Sequence, residues 1–154
     1  MNSRELLIET LTFMPPARLL QGLNPAGAEQ VLPGAPHSIA QILAHLSFWQ
    51  DWFIGRAQGS GEAMAATASL GWPAVAIGTW PEIHRHFLEG LDLAAALDTT
   101  SAIEPPFDFP PMSHYTAGDV VVHLANHNAH HLGQVLLLRQ CAGLWPPPAG
   151  SWTW

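Results

Sequence analysis

Residues 116–141 read TAGDVVVHLANHNAHHLGQVLLLRQC, and this stretch decides the fold. Thr116 with Asp119 three residues later marks a capped helix start, because each side chain can satisfy a backbone group that the first turn leaves unpaired. From there Val120, Leu124 and Leu138 fall on one helical stripe, until Gly143 offers a stop. The spacing predicts one long helix ending near Cys141. It carries four of the chain's nine histidines.

Three further helices are expected upstream. His37-Ser38-Ile39-Ala40-Gln41 holds an S-x-x-Q capping box that opens a helix through ILAHLSFWQDWFIGR and ends between Gly55 and Gly59. Thr79-Trp80-Pro81-Glu82 combines a T-x-x-E box with a first-turn proline and opens a third helix, which runs to about Asp98. The first segment, about Ser3 to Gln21, has Leu6, Leu7, Leu11, Phe13, Met14 and Leu20 at helical spacing, with Pro15 and Pro16 kinking or interrupting it. GSGEAMAATASLGWPAVAIG reads as a long mobile connection, with an Ala-rich middle that a short helix would suit. TTSAIEPPFDFPPMSHY, with its paired prolines, reads as an extended crossover pinned by Phe107, Phe109 and Met112. No sustained alternation of β-branched residues competes. The expected fold is therefore all-α, a four-helix bundle with long crossover connections, in one domain over residues 1–154.

Composition removes several function classes. The five basic residues are all arginine (Arg4, Arg18, Arg56, Arg85, Arg139) and lie scattered along a chain of net charge −7, so a nucleic-acid or phosphate-binding surface is not expected. The only cysteine, Cys141, has no internal partner and no redox motif around it, which fits a reducing compartment. With neither a signal-peptide pattern nor an apolar run of membrane-spanning length, the expectation is a cytoplasmic protein with no membrane partner.

The histidines of the last helix separate by geometry. His127 and His131 are four apart, so they lie about 40° from each other around the axis and both can reach one ion. This is the spacing of the zinc pair in H-E-x-x-H proteins. Their stripe continues through Val120, Leu124, Gln134 and Leu138, toward the core. An isolated H-x-x-x-H is more often plain helix surface, but imidazoles on an apolar stripe need partners that a metal ion would supply. The best third ligand is His45, which shares its side of the second helix with Ile42, Trp49 and Trp52. His123 is a geometrically permitted competitor, and His130 is read as a flank. His37, His84, His86 and His114 are expected at the surface or in capping positions.

A helix-2 histidine followed by aromatics, a proline-rich crossover, and a last helix with HNAHHLGQ resembles the DinB/YfiT-like metalloenzyme family over most of the chain. The resemblance implies an up-down-down-up bundle, often homodimeric, with one divalent ion held by His45, His127 and His131. Several members of this broader group catalyse thiol chemistry, among them bacillithiol S-transferases and mycothiol-dependent maleylpyruvate isomerases. Leu132 departs from the arginine that many members carry before GQ, which removes a cation suited to an acidic cosubstrate.

Three neutral imidazoles suit zinc or nickel, with iron and copper as further choices. The expected chemistry is attack by a low-molecular-weight thiol, or by water in a hydrolytic version, on a small electrophile held against Trp49, Trp52 and Trp80. A catalytically silent bundle with a structural or stress-sensing metal is the competing expectation. The open or closed fourth position decides between them. Asn126, Asn128 and Gln134 are candidate orienting groups. The exposed-looking tryptophans of the tail add to the expectation of a dimer.

Overall fold

The computed structural model describes residues 2–10, 14–107, 110 and 113–151. Within them the chain is helical: α1 (Pro16–Leu19), α2 (Pro25–Glu29), α3 (Ile39–Ala57), α4 (Trp80–Ala95) and α5 (Ala117–Cys141). A π-helical turn spans Glu5–Glu9 and a 3₁₀ turn spans Ala68–Gly71. No strand forms among the described residues; Ala102 and Thr116 make one isolated antiparallel bridge.

Two of the long helices begin as their capping boxes dictate. At α3 the Gln41 amide N–H donates to Ser38 Oγ at 3.2 Å while the Ser38 N–H donates to Gln41 Oε1 at 2.8 Å. Thr116 and Asp119 form the same reciprocal pair at α5. α5 ends where Gly143 turns left-handed (φ 69°), letting the Leu144 N–H donate back to the Arg139 carbonyl at 2.8 Å.

α4 corrects the sequence expectation. Thr79 makes no side-chain cap; its hydroxyl donates to the Ala76 carbonyl at 2.6 Å. The cap comes instead from Glu29 at the end of α2, whose carboxylate accepts from the Gly78 and Trp80 N–H groups. A carboxylate at this end also meets the positive pole of the helix dipole.

The first segment is interrupted, as its prolines led one to expect, but the interruption starts earlier. The π-helical turn ends at Thr10, which takes the left-handed conformation (φ 35°), and the next described helix is α1 from Pro16. The break thus begins ahead of the prolines expected to cause it. Leu11, Phe13, Phe109 and Met112 lie outside the described residues.

α3 packs against both α4 and α5, and the N-terminal turn also touches α4 and α5. Two apolar clusters fill this arrangement. The first joins Leu43 and Leu46 of α3 to Phe87 and Leu91 of α4 and to Leu132 and Val135 of α5. In the second, Trp52, Phe53 and Ile54 meet Val120, Val121 and Leu124. His127, Asn128 and His131 fall between the two clusters on α5, and Ser47 and Gln50 fall between them on α3. Both polar atoms of the Asn128 side chain are buried without a hydrogen-bond partner. Burying polar groups this way costs stability, and such a cost is typical of functional sites.

Candidate metal centre

α3 contributes His45 and α5 contributes His127 and His131, and the three side chains converge so that one nitrogen of each lies within 4.8 Å of the others. His45 and His131 are buried, and His127 is half-buried. The three rings meet edge to face, with centroids 4.7–5.1 Å apart. Four-residue spacing on α5 supplies two of them on one stripe, and the α3–α5 contact brings the third.

The outer nitrogens fix the ring states. His45 Nδ1 lies 2.7 Å from the Gly71 carbonyl oxygen, which can only accept, so Nδ1 carries the proton and Nε2 presents its lone pair. His131 Nδ1 lies 2.8 Å from Gln134 Oε1, which fixes the same tautomer. The Gln134 amide then donates through Nε2 to His130 Nε2 at 3.2 Å, giving His130 a supporting place in the network. This is the outer arrangement that metal-ligating histidines use. His127 Nε2 sits 3.2 Å from His45 Nε2, while its buried Nδ1 has no partner. A divalent ion fits this donor set, because the Nε2 atoms of His45 and His131 present lone pairs toward His127, whose own ring no outer partner fixes.

Electrostatics support the neutral, ligand-competent form. Burial drives the His127 pKa down to about 3, helped by His131 and His45 alongside it. Burial also lowers His45 and His131, opposed in part by their hydrogen bonds to Gly71 and Gln134. At neutral pH all three are uncharged, as metal ligation requires.

Trp72 is the residue that sequence patterning missed. It stacks on His45 at 3.9 Å and on His37 at 3.8 Å, both nearly parallel, so an imidazole–indole–imidazole sandwich buttresses the site. His37 is therefore half-buried and packed on Trp72, rather than the plain surface or capping group expected. The signal lay in the Gly/Ala/Ser-rich connection, where the 3₁₀ turn delivers both the Gly71 carbonyl and the Trp72 ring. Gly71 is needed for space: an added Cβ would stand 2.6 Å from Trp49 Nε1.

Beside the histidines opens a cavity of about 310 Å³. Trp49 and Phe53 of α3 form one wall, with His123 and His127 of α5 beside them. The two connections close it with Met64, Pro106, Phe107 and Tyr115. His123 rests against the Phe53 ring at 4.2 Å, and this partial burial lowers its pKa.

The remaining candidates lie elsewhere. Trp52 is buried in the second apolar cluster, outside the cavity lining, and its indole donates to the Ala63 carbonyl. Trp80 is likewise buried away from the cavity, stacked on His84 and donating to the Leu23 carbonyl. His86 pairs with Asp51 at 2.7 Å on the surface, and His114 and Asn126 are exposed. Of the tail tryptophans, Trp145 is half-buried with the Arg139 guanidinium over its ring, which corrects its expected exposure; Trp152 and Trp154 lie outside the described residues.

The family model described as the DinB superfamily matches residues 17–135, well over half of the chain. The chain belongs to the DinB superfamily. The matched region of this DinB-superfamily chain takes in His45, His127 and His131 together with Gly71, Trp72 and Gln134. No curated protein and no solved structure matches it. No described helix is long and apolar enough to cross a membrane.

Proposed function

We propose that this chain is a divalent-metal-dependent transferase that joins a low-molecular-weight thiol to a small electrophile, with hydrolysis as the result when water takes the thiol's place. The observation that carries the proposal is the double position of His127, which belongs both to the three-histidine cluster and to the wall of the 310 Å³ cavity. A nucleophile generated at the histidines would therefore face a molecule lodged in the cavity.

The chain's own residues divide the work. His45, His127 and His131 would hold the ion, zinc or nickel first among the metals that suit three imidazoles. Gly71 and Gln134 fix the orientation of two of the rings. Trp49 and Phe53 hold the electrophile and exclude water from its apolar face. A divalent ion held there supplies Lewis acidity, lowering the proton affinity of a thiol or water enough to make it a nucleophile near neutral pH. In a substitution the thiol's proton passes to solvent, the sulfur–carbon bond forms, and the leaving group departs with the electron pair of its bond.

A structural or sensing site would need a closed shell. Among the described residues the group able to hold an ion has three members, and three protein ligands are the usual number for a catalytic zinc. The test is a screen of zinc- and nickel-loaded protein with low-molecular-weight thiols and a generic alkylating electrophile. Thiol consumption well above that of a His131→Ala variant is the expected outcome. A rate equal to the variant's with every thiol would remove the transferase assignment.

A further inference from the structure

We propose that the cavity beside the histidines is a binding site for a small, uncharged aromatic molecule. The assignment deepens the transferase proposal by naming the class of its electrophile. It rests on that proposal for the chemistry alone, because the binding is carried by the walls.

The walls are largely aromatic. Trp49 and Phe53 present ring surface from α3, and Phe107 faces them from the crossover. Rings at such surfaces gain from edge-to-face and offset contacts beyond what area alone gives, and saturated molecules lack that gain. Phe107 is 51% exposed and Met64 is 41% exposed, so apolar side chains stand at the mouth where an occupant would cover them. The volume, about 310 Å³, lies at the lower end of the range for ligand pockets and suits one ring with a short substituent.

Among the described residues the lining holds no lysine, arginine, aspartate or glutamate. With no metal bound, a carboxylate on the occupant would therefore lose water without gaining a cationic partner from these side chains, and the chain's net charge of −7 adds to the penalty. Among the described residues Tyr115, His123 and His127 bring hydroxyl and imidazole side chains to the lining, beside the Trp49 indole. A phenol of this kind can donate to one uncharged acceptor, such as an ester carbonyl.

Titration calorimetry on the full chain with methyl benzoate, benzoate and methyl cyclohexanecarboxylate near pH 7 tests this. The titrations are run on chelator-treated protein and again on zinc-loaded protein. Methyl benzoate is expected to saturate one site in both forms and, in the chelator-treated form, to bind at least about tenfold more tightly than benzoate, since without a metal the carboxylate goes unpaired. Phe107→Ala, a change at an exposed position, should weaken it about fivefold or more by removing one ring wall. Benzoate or the saturated ester binding chelator-treated protein as tightly as methyl benzoate would overturn the assignment, as would a Phe107→Ala variant with unchanged affinity. The expected ranking in a protein without thiol-transfer activity would sink the transferase proposal and leave the aromatic site standing. Activity together with the wrong ranking would do the reverse.

Discussion

Gly71→Ala is the most informative single change, because one methyl group strikes two parts of the site. The new Cβ would lie 2.6 Å from Trp49 Nε1 and 2.9 Å from two further indole carbons, whereas ordinary contact begins at 3.4 Å. Either the indole or the 3₁₀ turn must therefore give by about 0.8 Å. Moving the turn carries the Gly71 carbonyl away from His45 Nδ1, which it now meets at 2.7 Å. Overpacking of this kind costs about 1–3 kcal/mol, and each kcal/mol lowers Tm by about 2–4 °C in a chain of this length. Disturbing a hydrogen bond behind a ligating histidine costs about 10–100-fold in metal affinity, and the lower end applies because the carbonyl itself is retained. Zinc affinity measured by competition with a chromophoric chelator should fall about tenfold. Adding Trp49→Phe should restore most of the loss by making room for the methyl group. Gly133→Ala is the control: it lies on α5 between His131 and Gln134, its Cβ would meet nothing within 4 Å, and a helix-interior alanine should stabilise by about 0.5–1 kcal/mol. Zinc affinity in Gly71→Ala within about twofold of wild type would refute the reasoning, as would an equal loss in Gly133→Ala.

Two further outcomes are expected. Gln134→Ala removes the acceptor for His131 Nδ1–H at an exposed position, so zinc affinity should drop about 10–100-fold while Tm changes little; a large fall in Tm with unchanged affinity would contradict the assigned role. For pH, the folded pKa values of His45, His127 and His131 all lie below the unfolded value of 6.5. The unfolded chain therefore takes up protons first as pH falls. Above about pH 7 there is no proton-linked penalty, and stability declines from about pH 6.5 toward pH 3, where His127 itself protonates. Urea unfolding of chelator-treated protein should show this decline, reduced in His127→Gln; identical slopes in the two proteins would count against it.

The parts legible in the sequence were the local ones. Ser38 with Gln41 and Thr116 with Asp119 cap helices through residues three apart, so the start of α3 and of α5 could be read without knowing the tertiary structure. The convergence of His127 and His131 on one stripe follows from helix periodicity in the same way. Where partners are distant the sequence pattern misled. Thr79 and Glu82 have the spacing of a box, yet Glu29 outcompetes them from 51 residues away by reaching two backbone N–H groups at once. Trp72 sat in a stretch that composition marks as a plain connection, and only the fold shows its ring lying against His45. Trp49 and Trp52 were indistinguishable as pocket residues on α3, three apart with the same chemistry. Packing separates them, with Trp49 facing the cavity and Trp52 in the second apolar cluster. Met64, Phe107 and Tyr115 come from two irregular connections, where no periodicity assigns a facing direction.

The central claim is that His45, His127 and His131 together hold one divalent ion. Elemental analysis of mildly purified protein tests it most directly, alongside His45→Ala, His127→Ala and His131→Ala variants checked for retained helix content by circular dichroism. About one zinc or nickel ion per wild-type chain, and loss of most of that metal in each folded variant, is the result the account predicts. Equal metal content in the wild type and the variants would contradict it.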